Sequence, residues 1–292
     1  MSSREIEFTK MHGIGNDYLY INCLDKEPIG LAELSVEMSD RHTGVGSDGI
    51  ILICPGGDKA DFKMRILNAD GSEAKMCGNG IRCVGKYLFD KGITSKTTLR
   101  IDTLSGIKIL QLRLGSDGKV SSVTVDMGKP SLLPAEIGLI CDKQEFIDRE
   151  VLTSGGEVRL TAVSMGNPHG VIFTDDLSTD TVHNVGRELE SHPMWTDRAN
   201  IEFAKVEAPG RITMRVWERG SGETMACGTG ACAVAVAAKL TERSAGRTEI
   251  SLLGGKLDIE WGDDGHVYMT GPAETIADGV YYRKHLPAGE TK

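Results

Sequence analysis

The sequence predicts a mixed α/β fold of the α+β type, built from two similar lobes. This prediction rests first on two short cysteine frames that repeat 150 positions apart, Met76–Gly80 (MCGNG) and Ala226–Gly230 (ACGTG). Glu73 and Glu223 also match when the frames are aligned on their cysteines. A similar series of strand-like segments surrounds each frame, and the sequence indicates few long helices. An internal duplication explains both observations, and a cleft between two duplicated lobes is the expected place for the site.

In the first half, strands are predicted where short apolar runs are bounded by Gly, Asn or Asp. These strands are Glu5–Lys10, Asp17–Cys23, Ile50–Cys54, Phe62–Asn68 and Leu99–Ile101. Leu31–Asp40 has the pattern of a helix. A second helix follows Cys77, because apolar residues recur at helical spacing from Ile81 to Leu88 and stop before Gly92.

The second half repeats this pattern. Its predicted strands are Val120–Met127, Val158–Met165, Val171–Phe173, Ile201–Val206 and Ile212–Glu218. A helix follows Cys227 over the alanine- and valine-rich run Ala231–Leu240. Leu257–Trp261 and Val267–Thr270 are typical of a hairpin, and Gly279–Arg283 of one last strand.

The break near Gly115–Gly118 is where we place the boundary between the lobes. The N-terminal lobe then covers residues 1–119 and carries Cys77, and a strand near residues 273–286 completes it. The C-terminal lobe covers residues 120–272 and carries Cys227. A chain of 292 residues is long enough for two well-buried cores.

Composition limits the class of protein. The net charge is −9 and basic residues form no cluster, which argues against nucleic acid as a partner. The first twenty residues lack an apolar signal core, and no run is long enough to cross a membrane. Seven cysteines without disulfide-scaffold or zinc-finger spacing fit a reducing compartment and disfavour a metal site. We therefore predict a cytoplasmic protein with no membrane partner and a small-molecule substrate; a homodimer stays open.

Both frame cysteines are predicted to lie at helix N-termini. Unpaired N–H groups and the positive end of the helix dipole favour a thiolate there and can hold a carboxylate beside it. Two such thiols in matching frames indicate a pair of proton-transfer groups acting on one substrate from opposite sides. For the remaining cysteines we favour the role of small buried hydrophobes. These are Cys23, Cys54, Cys83, Cys141 and Cys232.

Several other segments are unusually polar and rich in glycine. They are His12–Asp17, Asn68–Ser72, Met165–His169, Asn200–Phe203 and Trp217–Gly220. A single asparagine is commonly a turn residue. Four at strand ends with a Glu-Arg pair instead supply the groups that bind the carboxylate and ammonium of an amino acid. His169 is either a packed histidine or a neighbour that tunes a thiol, and its Gly-Asn-Pro context favours the second interpretation.

Four blocks of the sequence resemble the signature blocks of the diaminopimelate epimerase family. They are Lys10–Asp17, Asn68–Cys83, Ser164–His169 and Glu218–Ala231, and the likeness runs over residues 8–272. The resemblance implies a cofactor-independent, PLP-independent isomerase of lysine and peptidoglycan-precursor biosynthesis. Its reaction would interconvert LL- and meso-2,6-diaminopimelate. Each lobe would be a curled β-sheet or barrel around a central helix, with the active site in the cleft between them.

The resemblance also implies roles for individual residues. Cys77 and Cys227 would be the catalytic bases, and His169 and Glu218 would tune the pKa of the thiols. The residues implied in substrate binding are Asn16, Asn68, Gly78, Asn79, Asn167, Asn200, Glu218, Arg219, Gly228 and Thr229. One departure is visible, because many members have Phe-Asp-Gln where this chain has Ser47-Asp48-Gly49. A side-chain contact from position 49 is therefore absent, and backbone or water must replace it.

Three alternatives differ in chemistry. A racemase of the same superfamily would act on another amino acid, but proline racemases resemble Cys-Gly-His-Gly in the first frame, where this chain has Asn79. A redox-sensing or small-molecule-binding protein could use the cysteine pair as a switch, although it would need no ammonium or carboxylate ligands. A pyridoxal enzyme needs a Schiff-base lysine, and no lysine here has a favourable context.

Overall fold

The structure is a computed structural model, and it describes residues 4–283. The chain divides into two compact units. Unit 1 contains residues up to Val125 together with those from Pro272 onward, and unit 2 runs from Asp126 to Gly271. Gly115–Gly118 forms the turn between two strands of unit 1, where the Gly115 N–H donates to the Lys119 carbonyl at 2.8 Å. The division thus falls a few residues after this turn.

Unit 1 is a sheet with two helices. Its elements are β1 Glu5–Gly13, β2 Asn16–Asn22, α1 Leu31–Ser39, β3 Gly49–Pro55, β4 Phe62–Asn68, β5 Glu73–Ala74, α2 Gly78–Asp90, β6 Thr98–Thr103, β7 Gly106–Leu114, β8 Val120–Gly128 (which crosses the division) and β18 Glu274–Tyr282. β1 and β2 are antiparallel, β2 and β3 parallel, β3 and β4 antiparallel, β4 and β6 parallel, and β6 and β7 antiparallel. β18 pairs antiparallel with β1, so distant parts of the chain complete the same sheet.

Unit 2 has the same arrangement. Its elements are α3 Pro134–Ile137, β9 Arg149–Thr153, β10 Gly156–Ser164, β11 Pro168–Phe173, α4 Thr179–Glu190, β12 Asn200–Ala208, β13 Arg211–Glu218, β14 Gly222–Glu223, α5 Gly228–Leu240, β15 Arg247–Leu252, β16 Gly255–Trp261 and β17 Val267–Gly271. From β10 to β16 the pairings are antiparallel, parallel, antiparallel, parallel and antiparallel, as from β1 to β7. The predicted fold class, mixed and sheet-dominated with two similar lobes, is confirmed.

The helix after each cysteine lies inside its unit. α2 and α5 are both thirteen residues long, begin 150 positions apart and end 150 positions apart. Ten residues of each helix are buried. In α5 most of these are alanines and valines, whose small side chains let strands pack closely around the helix. Each sheet therefore surrounds a buried helix, and the start of that helix is fixed in position.

The matched glutamates of the two frames have one structural explanation. Glu73 in β5 accepts a hydrogen bond from Arg65 Nε at 2.9 Å, and Glu223 in β14 accepts one from Arg215 Nε at 2.6 Å. The two arginines, like the two glutamates, are 150 positions apart. In both units this ion pair joins the strand before the frame to the short strand that leads into it.

Some elements differ from the sequence prediction. Strands β5, β7, β9, β14 and β15 and helices α3 and α4 were not predicted, and β18 begins at Glu274 rather than Gly279. The predicted strand near residues 273–286 ends at Tyr282, and residues 284–286 lie outside the described part of the chain. α4 is a polar helix capped by Ser178, whose Oγ accepts from the Thr181 N–H at 3.3 Å. Within residues 4–283, no helix has the length and apolar character needed to span a membrane.

Candidate active site

Both frame cysteines are N-cap residues, as the sequence predicted. Cys77 precedes α2 with an extended backbone, and its Sγ accepts a hydrogen bond from the Gly80 N–H at 3.3 Å. Cys227 precedes α5 in the same conformation, and its Sγ accepts from the Gly230 N–H at 3.4 Å. In each unit the sulfur thus lies at the positive end of a buried helix, whose dipole stabilises the negative charge of a thiolate.

In unit 1, Asn16 links Cys77 to a carboxylate. The Cys77 thiol donates to Asn16 Oδ1 at 3.2 Å, and Asn16 Nδ2 donates to Asp48 Oδ2 at 2.6 Å. The same Asp48 oxygen accepts from the Asp17 N–H at 3.1 Å. A carboxylate oxygen can only accept, so this arrangement fixes which end of the Asn16 amide faces the thiol.

Gly49 shows why the usual side chain is missing next to Asp48. A Cβ on Gly49 would lie 2.2 Å from the Leu67 carbonyl oxygen and 2.9 Å from Tyr18 Cε1, and the first distance is far inside van der Waals contact. Position 49 therefore has no room for a side chain. The neighbouring Asp48 instead reaches Asn16, a contact that the sequence did not predict.

Two other predicted residues of unit 1, Asn79 and Asn68, form side-chain hydrogen bonds with nearby residues of the same unit. Asn79 is only 2% exposed, and its Oδ1 accepts from Arg82 Nη2 at 3.0 Å. Arg82 is fully buried and also donates to the Gly78 carbonyl at 3.1 Å, so it ties together the first turn of α2. Asn68 donates to Ser72 Oγ at 3.0 Å. Gly78 and Asn79 can thus offer a ligand their backbone N–H groups rather than side chains.

In unit 2, Cys227 lies among acidic groups. Burial raises the pKa of the Cys227 thiol well above its ordinary value, and the carboxylates of Glu218 and Glu202 raise it further. The hydroxyl of Thr229, 3.5 Å from Cys227 Sγ, opposes this shift. Burial also raises the pKa of Glu218, although a hydrogen bond from Thr224 opposes that shift. The thiol form is therefore favoured at Cys227 while Glu218 is charged.

His169 is fully buried and lies between two oxygen atoms. Its Nδ1 is 2.7 Å from Glu202 Oε1, and its Nε2 is 3.1 Å from Asn167 Oδ1. Asn167 Nδ2 donates to Thr229 Oγ1 at 3.3 Å. The structure thus brings together three residues predicted from the sequence. Glu202 was not predicted as a site residue, although it lies within a polar segment noted above.

Asn200 and Arg219 form a second cluster in unit 2. Asn200 donates to the Pro168 carbonyl at 3.1 Å and accepts from the Arg219 N–H at 2.9 Å. The Arg219 side chain donates through Nη1 to the carbonyl and the carboxylate of Asp197, at 2.9 and 3.1 Å. Among the described residues, Nε and Nη2 of Arg219 have no partner, so one edge of the guanidinium can receive a carboxylate.

The strand registers show that these two sets of residues correspond. Ile51 pairs with Ile66, and Glu202 pairs with Val216. Ile66 and Val216 are 150 positions apart, the same spacing as the two frame cysteines, so they occupy equivalent places in the two units. Ile51 therefore corresponds to Glu202. Counting along the paired strands gives the other correspondences: Asn16 with Asn167, Tyr18 with His169, Gly49 with Asn200, and Asn68 with Glu218. At these positions unit 1 has no ionisable carboxyl group and no histidine, whereas unit 2 has two carboxyl groups and a histidine.

Tyr18, like Glu202, is a residue that the sequence interpretation missed. Burial raises the pKa of Tyr18 well above its ordinary value, and the charges of Cys77 and Asp48 add to the shift. Its place in unit 1 matches that of His169 in unit 2. Only the pairing of β2 with β3 and of β11 with β12 relates the two, because the residue types differ.

The family model and the curated relatives that match this chain agree on one family. A family model described as diaminopimelate epimerase matches residues 8–133 and 161–276. A diaminopimelate epimerase of Acetivibrio thermocellus is 50% identical over 94% of this chain and 98% of the relative. One from Desulfovibrio desulfuricans is 49% identical over 95% of this chain and 98% of the relative.

Solved structures share the fold at much lower identity. A phenazine biosynthesis protein of the PhzF family from Bacillus anthracis gives a TM-score of 0.68 at 14% identity, covering 94% of this chain and 98% of that one. A hydroxyproline epimerase from Agrobacterium vitis gives a TM-score of 0.65 at 14% identity, covering 95% of this chain and 91% of that one.

In the part of the chain that the structure describes, no group of three or more His, Cys, Asp or Glu side chains could hold a metal ion.

Proposed function

Because the chain belongs to the diaminopimelate epimerase family, we propose that it interconverts LL- and meso-2,6-diaminopimelate by a two-base mechanism. The single observation that best supports this proposal is the matched pair of N-cap thiols, Cys77 and Cys227. Each sulfur accepts from the third amide of a buried helix, at 3.3 and 3.4 Å. The reaction needs two groups that can each hold or release one proton, and each unit supplies one cysteine thiol at the start of its buried helix.

In the proposed step, one cysteine thiolate removes the α-proton of the substrate, so a C–H bond breaks and an S–H bond forms. The other cysteine donates its proton to the opposite face of the same carbon, so an S–H bond breaks and a C–H bond forms. The configuration inverts and no electrons are lost. The roles of Cys77 and Cys227 reverse with the direction of reaction. The proposed reaction needs no cofactor.

The difficult part of this step is the weak acidity of an α-proton beside a carboxylate. Backbone N–H groups directed at the developing negative charge lower this barrier without having to reorganise. We propose that the N–H groups at Gly78 and Asn79, and at Gly228 and Thr229, bind the carboxylate at the reacting carbon. Both helix starts are held in place by the packing of the helices.

The distal end of the substrate needs ligands of a different kind. We propose that the open edge of Arg219 binds the distal carboxylate and that Glu218 binds the distal ammonium, with Asn68, Asn167 and Asn200 adding amide contacts. Asn200 supports this role because it holds the backbone of Arg219 through a 2.9 Å hydrogen bond. Such contacts would select a long substrate with an amino acid group at each end.

The test is exchange of the α-proton with solvent. Purified protein incubated with LL-diaminopimelate in deuterated water under reductant should produce meso-diaminopimelate with deuterium at the inverted carbon. Cys77→Ala and Cys227→Ala should each abolish turnover, and the serine variants should retain only traces because an alkoxide is much harder to form than a thiolate. Cys141→Ala is the control. Substantial turnover by either alanine variant would exclude the two-base mechanism, and turnover of another amino acid instead would favour a different racemase of the superfamily.

We further infer a cytoplasmic location, since the proposed reaction belongs to precursor synthesis, and we leave a homodimer to measurement. Light scattering on the purified protein at several concentrations gives the mass directly. A mass twice the 31.5 kDa of the chain would establish the dimer.

A further inference from the structure

Glu202 buries a carboxyl group at a position where the other unit has an isoleucine. Its side chain is fully buried, and its Oε2 accepts no hydrogen bond from the described residues. A buried polar atom without a partner lowers stability, and Ile51 shows that the fold accepts an apolar side chain at the corresponding place. The only hydrogen bond of the Glu202 side chain within residues 4–283 is the 2.7 Å contact with His169. The residue is therefore explained best by what it does to His169.

The contacts of His169 determine where its protons lie. Both ring nitrogens face oxygen atoms, Glu202 Oε1 on one side and Asn167 Oδ1 on the other. An amide oxygen can only accept, so Nε2 carries a proton and donates it to Asn167. One further proton is shared between Nδ1 and Glu202 Oε1. With Glu202 present, the imidazole is held in the orientation that donates toward Asn167.

The same direction continues from Asn167 to the sulfur of Cys227. Because Asn167 Oδ1 accepts from His169, its Nδ2 is directed to Thr229 Oγ1, at 3.3 Å. Thr229 Oγ1 thus accepts one hydrogen bond and can direct its own proton to Cys227 Sγ, 3.5 Å away. Such a donor stabilises the thiolate form of Cys227. Four residues therefore form a directed chain of hydrogen bonds that ends at the sulfur.

We propose that Glu202 is a positioning residue, which acts through His169, Asn167 and Thr229 to present a hydrogen-bond donor to Cys227. It touches neither substrate nor sulfur in this scheme. The catalytic consequence rests on the proposed function, whereas the effect on the reactivity of the thiol does not. The charges of Glu218 from β13 and of Glu202 itself both oppose the thiolate of Cys227. The tests below therefore compare variants that both lack the Glu202 charge, and Glu218 stays unchanged.

The first test measures alkylation of Cys227 by iodoacetamide between pH 6 and pH 10, with the modified peptides quantified by mass spectrometry. Cys77 in the same sample is the internal control. Glu202→Gln removes the charge but keeps an amide that can pair with His169 Nδ1, so the rate at Cys227 should be at least that of wild type. Glu202→Ile, which introduces the side chain found at position 51, removes the charge and the hydrogen bond. Its rate at Cys227 should be about tenfold below that of Glu202→Gln, the value of one hydrogen bond. The rate at Cys77 should not change.

A double-mutant cycle separates the directed chain from a general effect on packing. Thr229→Val removes the last donor, so Glu202→Gln/Thr229→Val should react at the rate of Glu202→Ile. Adding Thr229→Val to Glu202→Ile should lower the rate no further, because both changes break one chain. Additive losses, an unchanged rate in Thr229→Val, or equal losses in Glu202→Gln and Glu202→Ile would each overturn the proposal. Thr229→Val keeps the test decisive if Glu202→Ile does not fold.

The second test uses epimerisation. Glu202→Ile should have a kcat about tenfold below that of Glu202→Gln and the same KM, because Glu202 acts on a proton-transfer group and not on substrate. A raised KM with unchanged kcat would overturn the positioning role. If the wild-type protein shows no turnover of diaminopimelate, the proposed function fails, and the alkylation profile still decides the role of Glu202.

Discussion

Gly80 and Gly230 offer a matched pair of substitutions in the two units. Each is the third residue of its helix, and each N–H donates to the frame cysteine. A Cβ on Gly80 would lie 2.6 Å from Ile51 Cδ1, the end of a flexible side chain that can turn away. A Cβ on Gly230 would lie 2.6 Å from Glu202 Oε1, which is held by His169. The two alanine variants should therefore behave differently.

The expected difference in stability follows from the free-energy contributions that are not common to the two sites. Replacing glycine by alanine in a helix contributes about 1 kcal/mol of stability, and this gain is common to both variants. Gly230→Ala must also displace the Glu202 carboxylate from His169, and a hydrogen bond to a charged group contributes about 1.5–3 kcal/mol. We expect Gly230→Ala to be less stable than Gly80→Ala by about 2 kcal/mol, or roughly 4–8 °C in Tm for a unit of this size.

The assay is thermal unfolding followed by calorimetry and by circular dichroism, with both variants measured beside wild type. Glu202→Ile provides the control background, because Gly230→Ala should then cost no more than Gly80→Ala does in wild type. Equal Tm values for the two alanine variants in the wild-type background would refute the reasoning. So would a Gly230→Ala penalty that survives in Glu202→Ile.

Three further predictions concern single side chains. Arg219→Lys should lower kcat/KM for diaminopimelate by about tenfold or more, because an ammonium cannot offer the planar two-donor edge. Unchanged kinetics would show that Arg219 is a surface charge that does not bind substrate. Glu218→Gln removes the carboxylate that, after burial, most raises the pKa of Cys227, so the midpoint of Cys227 alkylation should move to lower pH, and a midpoint that stays or rises contradicts this. Gly49→Ala should lower the Tm of the protein, since its Cβ would meet the Leu67 carbonyl at 2.2 Å, and a Tm equal to that of wild type would show that β3 and β4 can separate freely.

The sequence predicted the parts of the site that depend on local pattern. A cysteine before a glycine-rich turn and an apolar period of 3.6 residues define the starts of α2 and α5. Both helices contain the predicted runs and begin three residues before them, directly after the cysteines. α4 was missed because its twelve residues contain few apolar side chains, although the cap at Ser178 was a usable signal. β7 was missed although Leu110–Leu114 alternates apolar with polar residues, which was a usable strand signal.

The parts that the sequence did not predict depend on which strands pair and in what register. Glu202 follows a predicted asparagine by two positions, but only the register of β12 against β13 shows that it faces the start of α5. The link from Asp48 to Asn16 likewise needs β2 and β3 to lie side by side. Such contacts join residues that are far apart in the chain, and no local periodicity carries them.

The pairing of β1 with β18 has a consequence for synthesis on the ribosome. Unit 2 is formed by one continuous stretch, so all of its strands are translated, and leave the exit tunnel, before β18 does. Unit 1 cannot close its sheet until Glu274–Tyr282 has been translated, and the edge of β1 stays unpaired on that side for the whole of this time. Domains generally fold as units while the chain grows. The nascent chain should therefore complete the Cys227 unit first, and an early stop in translation would release a folded unit 2 beside an unfinished unit 1.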